Sequence, residues 1–145
     1  MKLFVKHLTI KNIFSSLALM MSISFVQAGA VVVVGANSLI GSASKSDIVK
    51  IFLGKKKALP NVSVVPVDQE EGTAARIHFY KNTVKKSEAQ IKSYWSRLIF
   101  TGKGQAPQIV GEDSDVKTMI ASNPNLIGYI EESSLDDTVK VIYKP

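Results

Sequence analysis

The sequence predicts an α/β fold: a single three-layer αβα unit built on a mixed, mostly parallel sheet. Three observations carry this. Short apolar strands alternate along the chain with helical segments of about ten residues, the pattern of a sheet covered by helices. The run Val31 to Val34 is β-branched throughout and bounded by glycines, as expected for a strand buried on both faces. Two segments, Ser44-Lys45-Ser46-Asp47 and Ser87-Glu88-Ala89-Gln90, place a hydroxyl at a helix cap with an acid or amide three residues later.

Residues 1–28 read as a secretory leader rather than as part of the fold. Lys2, Lys6 and Lys11 precede the apolar run Ile13 to Val26, and Val26-Gln27-Ala28 has the small residues of a cleavage site. The apolar run of about fourteen residues is short of the roughly 20 that span a bilayer. Cleavage is expected after Ala28, with Ala30 as the second choice, and would leave residues 29–145 as one domain of about 117 residues in the periplasm. The absence of cysteine excludes a lipid-anchored start and any disulfide. Three of the lysines belong to the leader, so the net charge of +6 falls to about +3 beyond it, which gives no argument for nucleic acid.

After the first strand, Ser44 is expected to open a helix whose apolar residues are Ile48, Val49, Ile51, Phe52 and Leu53 and which Gly54 stops. Lys55-Lys56-Lys57 at its end complements the helix dipole. Val62 to Val67 is expected as one strand, with Pro66 marking an edge position or the strand end. A helix from Thr73 to about Asn82 follows, turning Ala74, Ile77 and His78 toward the sheet. The best-marked helix starts at the Ser87/Gln90 capping box and carries Ile91, Tyr94, Trp95, Leu98 and Ile99 on one stripe. Thr101-Gly102-Lys103-Gly104 caps it, and the lone Gly-Lys-Gly lacks the remainder of a phosphate loop. A short helix from about Ser114 to Ser122, the Asn123-Pro124-Asn125 turn and strands at Leu126 to Ile130 and Val139 to Tyr143 complete the order.

The stretch from Val65 to Arg76 is the chemically informative one. It delivers a strand end onto a helix start through Gly72-Thr73, where outward-pointing backbone N–H groups can hold an anion. Glu70 and Glu71 stand directly before that pair and oppose an anion. Catalysis has little support: beyond the leader there is one histidine, His78, and no cysteine, and no nucleophile stands at a recognisable spacing from a base. Neither cofactor nor metal is expected, because the acidic pairs Glu131-Glu132 and Asp136-Asp137 lack a coordination-loop pattern.

Taken as a set, Asp47-Ile48-Val49-Lys50-Ile51-Phe52-Leu53-Gly54-Lys55, Val64-Val65-Pro66-Val67 with Gly72-Thr73 and Phe79-Tyr80, Gly102-Lys103-Gly104, and Asn123-Pro124 with Leu126-Ile127-Gly128-Tyr129-Ile130 carry a family likeness. In these segments the chain resembles the phosphate-type substrate-binding proteins of bacterial ABC transporters, of the class II periplasmic binding protein superfamily. The resemblance covers nearly all of residues 29–145 and matches only the second, continuous lobe of such two-lobed proteins. It implies a periplasmic-binding-protein-like lobe that holds phosphate in a cleft. Gly72 and Thr73 match the last two members of the family's phosphate segment, whereas Val67, Gln69 and Glu71 stand where its Arg, Asp and Ser are expected. The missing arginine removes a bidentate contact. The glutamate adds a repulsion of about 4 kcal/mol at 4 Å and an effective dielectric near 20. Arg76 either compensates by reaching back or pairs with Glu70 or Glu71.

Two functional expectations follow. The first is a nonenzymatic periplasmic solute-binding protein that holds a small anionic or polar solute, phosphate by resemblance, at the helix start. Its ligand-binding residues would be Gly72, Thr73, Gln69, Glu71, Arg76, Ser38 and Asn37, with an ABC permease or another envelope protein as partner and the missing lobe supplied either by a partner or by a homodimer. The second is a noncatalytic interaction module that contacts another envelope protein through the old cleft face, around Asn37, Ser38, Gln69, Glu71, Lys103 and Tyr129.

Overall fold

The computed structural model describes residues 29–145, so the expected leader lies outside the described residues. The elements run β1 (Ala30–Gly35), α1 (Lys45–Phe52), β2 (Ala58–Leu59), β3 (Val62–Ser63), β4 (Val65–Asp68), α2 (Ala74–Phe79), α3 (Glu88–Phe100), β5 (Gln108–Ile109), α4 (Asp113–Ser122), β6 (Leu126–Glu131) and β7 (Val139–Tyr143). A π-helical turn, Tyr80–Val84, prolongs α2, and a 3-10 turn, Glu132–Ser134, follows β6.

The main sheet has the order β5-β4-β6-β1-β7. β4 runs parallel to β5 and β6, and β1 is antiparallel to both of its neighbours, β6 and β7. Four strands therefore share one direction and β1 opposes them, the mixed, mostly parallel arrangement expected. Side-chain alternation along β1 divides the core. Ala30, Val32 and Val34 pack with α1, α2 and α3, while Val31 and Val33 pack with Val116 and Ile120 of α4. The result is helix, sheet and helix in three layers. Gly128 is required in β6 because a Cβ there would lie 2.6 Å from Val116 Cγ1, so α4 seats directly on the strand.

The capping signals act as their chemistry dictates. Ser44 Oγ accepts from the Asp47 N–H at 3.1 Å. Ser87 and Gln90 exchange both bonds of a capping box, at 3.2 and 2.8 Å, and Ile91 and Trp95 are buried as the stripe required, whereas Ile99, expected on the same stripe, lies at its edge and is exposed. Gly102, at φ 68°, reverses the chain so that the Lys103 N–H returns to the Leu98 carbonyl at 2.8 Å.

Several elements depart from expectation. The stretch Val62 to Val67 is two strands, because Pro60-Asn61 turns the chain and pairs β3 with β2, with Asn61 at φ 62°. Pro66 lies within an interior strand, but at a stretch left uncovered on one side. β5 covers β4 only opposite Val67 and Asp68, so Pro66 pairs on the β6 side alone and its missing N–H breaks no ladder bond to β5. α2 passes into the π-helical turn instead of staying α-helical to Asn82, and it turns a different face inward: Ala75, Arg76 and Phe79 are buried, whereas Ala74 and Ile77 are exposed and His78 is half-buried. The inward face is the one that buries Ala75, Phe79 and Tyr80, and Arg76 on that face is accommodated by pairing with a buried carboxylate on β4.

Candidate functional site

β4 ends by carrying Asp68 into the interior. A buried carboxylate is tolerated only when its lone pairs are filled, and Asp68 has four donors. Tyr80 Oη donates to Oδ2 at 2.8 Å and Arg76 Nη1 lies 2.6 Å from the same oxygen. The Gln69 N–H donates to Oδ1 at 2.9 Å, and Tyr129 Oη donates there as well. Arg76 is itself 4% exposed. Its Nη1 also donates to the Gln69 carbonyl at 2.7 Å, and its guanidinium carbon stands 5.1 Å from the Tyr80 ring centroid. Burial works against the charged guanidinium, but the Asp68 carboxylate together with Tyr129 and Tyr80 outweighs it, and Arg76 is held above its ordinary pKa. Burial, then the Asp68 charge, pushes the phenols of Tyr80 and Tyr129 well above theirs. Phe79 stacks on Tyr129 at 4.2 Å between centroids and closes the hub with an apolar wall.

The start of α2 is joined to this hub by Glu88, from the first turn of α3. Glu88 Oε1 accepts from Arg76 Nε at 3.1 Å and from the Gly72 N–H at 3.0 Å. Thr73 Oγ1 caps α2 by accepting from the Arg76 N–H at 3.4 Å and donates to the Glu70 carbonyl at 3.1 Å. The donors that the sequence offered to an oxyanion, namely the Gly72 N–H, the Thr73 hydroxyl and Arg76, are thus each engaged by the chain itself.

Beside this helix start is an open cleft of about 400 Å³. It lies at the carboxyl ends of β4 and β6, where open α/β sheets bind ligands. Thr73 lines one side and Glu112, Asp113 and Lys117 of α4 the other, with Glu131 and Ser134 at the end of β6. Asp113 organises the wall: its Oδ1 accepts from Gln69 Nε2 at 2.7 Å, and its Oδ2 from Ser134 Oγ at 2.6 Å and the Glu131 N–H at 3.2 Å. Gln69 Nε2 also donates to the Tyr129 carbonyl at 2.8 Å, which links cleft and hub; Gln69 Oε1 has no hydrogen-bond partner among the described residues. His78 Nδ1 meets Glu131 Oε1 at 2.9 Å. Lys117 is paired with Asp136 at 2.6 Å, and hydrogen bonds from Lys117 and Thr138 lower the Asp136 carboxyl to about 2. With three carboxylates and one committed lysine, the cleft wall favours donors over anions.

The residues singled out in the sequence divide into two places. Gly72, Thr73, Gln69 and Arg76 gather at the hub and the adjoining cleft. Glu71 is exposed there, 4.0 Å from Lys92. Asn37 and Ser38 lie at the opposite end of the sheet, where Ser38 Oγ donates to the Pro124 carbonyl at 3.0 Å. They are separated because β1 runs antiparallel to β6, so that the loop after β1 emerges where β6 begins. Tyr129, expected on an old cleft face, is buried in the hub, and Lys103 is exposed at the end of α3. Asp68, Glu88 and Asp113 were not singled out. The available signal was an acid at the end of β4 with an arginine one turn inside the next helix.

No family model matches the chain, and no curated protein matches it in sequence. Solved structures do match. A phosphate ABC transporter substrate-binding protein of Clostridium perfringens, solved with phosphate bound, aligns with TM-score 0.63 and 22% identity over 79% of this chain. An ABC-type phosphate transport receptor of Vibrio cholerae aligns with TM-score 0.59 and 15% identity over 79%, and PstS of Borrelia burgdorferi with 0.57 and 12% over 81%. The fold is that of a substrate-binding-protein lobe. The chain spans less than half of each of these proteins, 44%, 45% and 49% of their lengths. The first of these is a substrate-binding protein and the second a transport receptor.

Proposed function

We propose that the chain is a nonenzymatic, exported solute-binding lobe that takes a small polar solute in the cleft between the starts of α2 and α4. The observation that carries this reading is the open cleft at the carboxyl ends of β4 and β6, rimmed by Thr73, Asp113, Glu131 and Ser134, on a fold shared with substrate-binding proteins. Its carboxylates call for a solute rich in hydrogen-bond donors. Free phosphate, which the C. perfringens protein binds, would meet Glu112, Asp113 and Glu131 and find the Gly72 N–H already bonded to Glu88. The working site comprises Thr73, Asp113, Glu131 and Ser134, with Gly72, Gln69 and Arg76 holding it in shape and Glu71 at its rim. A permease or a second copy would supply the opposing wall, since a single lobe leaves the cleft open.

A thermal unfolding scan with amines, sugars, amino acids, phosphate and sulfate tests this. A solute at about a hundred times its dissociation constant adds roughly 2.7 kcal/mol and raises the midpoint by several degrees. The expected result is a selective shift with a donor-rich solute that Asp113→Asn reduces; a flat panel would contradict solute binding. The second reading, an interaction module contacting an envelope protein, is favoured by the internal satisfaction of Gly72 and Arg76 by Glu88, and a flat panel would leave it as the better account.

A further inference from the structure

The charge of the molecule is unevenly placed. Between residues 81 and 103 Lys81, Lys85, Lys86, Lys92, Arg97 and Lys103 stand against Glu88 alone, whereas between 112 and 137 seven carboxylates stand against Lys117. Of the basic set, only Lys92 comes within 4.0 Å of a carboxylate among the described residues. The basic stretch contains the most exposed large apolar side chain described, Phe100 at 92%, with Ile99 beside it at 55%. Helical spacing puts Lys92 and Ile99 in one outward row and Arg97 and Phe100 in the next, and Lys103 follows in the capping turn.

The opposite face of α3 anchors the helix to the core. Ile91 and Trp95 are buried, and Tyr94 Oη donates to the Leu53 carbonyl at 2.6 Å. The Lys103 N–H returns to the Leu98 carbonyl at 2.8 Å and closes the last turn, so Phe100 and Ile99 are exposed on a capped helix end. We propose that the C-terminal end of α3 is a docking surface for an anionic lipid bilayer. Phe100 and Ile99 enter the boundary between headgroups and acyl chains, and Lys92, Arg97 and Lys103 meet lipid phosphates.

Two features favour a lipid surface over a protein. The apolar element is convex and consists of two adjacent side chains, far less than the roughly 800 Å² per partner of a stable protein interface. A bilayer needs no matching shape, and the surrounding cations complement its negative surface potential. This goes beyond the solute site, which uses the starts of α2 and α4 and none of these residues.

The test is co-sedimentation of the exported protein, its N-terminus fixed by mass spectrometry, with vesicles of phosphatidylcholine alone or mixed with phosphatidylglycerol. Binding is expected only with phosphatidylglycerol and should weaken as salt rises. Phe100→Ser should reduce it roughly tenfold or more, and Arg97→Gln with Lys103→Gln by a similar factor. Leu39→Ser, at an apolar residue exposed at 89% in the loop between β1 and α1, should leave it unchanged. Circular dichroism confirms the fold of each variant. Absence of sedimentation with anionic vesicles, or sedimentation indifferent to Phe100→Ser, would overturn the proposal. Concentration-dependent dimerisation abolished by Phe100→Ser, without lipid binding, would assign the surface to a second copy instead.

Discussion

At its first turn α3 gives Glu88 to a buried arginine and a backbone N–H, while at its last turn it leaves Ile99 and Phe100 in solvent among uncommitted cations. One helix thus has an end fixed by charge satisfaction and an end presented outward. The contrast separates two uses of charge. Inside the hub, Asp68, Arg76 and Glu88 exist for one another, and each removes the solvation demand of the next. At the far end, Arg97 and Lys103 meet no internal carboxylate and keep their charge for something outside the chain.

Breaking the hub should have the largest effect. Arg76→Met leaves Asp68 charged and buried with no cation beside it, and is expected to lower stability by about 3–5 kcal/mol in urea unfolding. A loss below about 1 kcal/mol would mean that Asp68 is not held by this pair. The hub also has an alkaline limit. The folded pKa values of Tyr80 and Tyr129 are raised above the unfolded value near 10. Their contribution is therefore complete below pH 10 and is lost as pH rises toward the folded values. Tyrosinate absorbance should show two phenols that ionise only well above pH 10 or together with unfolding.

Smaller changes sharpen the comparison along α3. Glu88→Gln weakens the contacts to Gly72 and Arg76 while keeping the shape, and is expected to cost about 1 kcal/mol in the same urea assay, because Glu88 is partly exposed. Ser87→Ala removes the cap at that end and should cost about 1 kcal/mol by thermal unfolding. Phe100→Ser at the other end should change stability by no more than about 0.5 kcal/mol. A large loss there would show that Phe100 is packed rather than presented.

Much of this is legible in the sequence. The Val31 to Val34 run, the Ser44 and Ser87 caps, Trp95 in the core and the Gly102 stop each follow from local chemistry, and the family resemblance led to the fold that the solved neighbours share. The site was less legible because it depends on strand direction and on contacts distant in sequence. Alternation of strands and helices did not reveal that β1 opposes the others, so Asn37 and Ser38 were placed with Gly72. The sequence offers Arg76 its neighbours Glu70 and Glu71, whereas its partners are Asp68 at the strand end and Glu88 in the first turn of the following helix. The Pro60-Asn61 turn was present in the sequence, but the apolar run after it was read as one strand.

The central claim is that Glu88 occupies the donors a free oxyanion would use. Its most direct test is a phosphate titration followed by the amide resonance of Gly72 in the native chain and in Glu88→Gln. The expected result is a Gly72 signal that does not respond to phosphate in the native chain and shifts saturably once the carboxylate is neutralised. A saturable shift at Gly72 in the native chain would contradict the claim and return phosphate to this helix start.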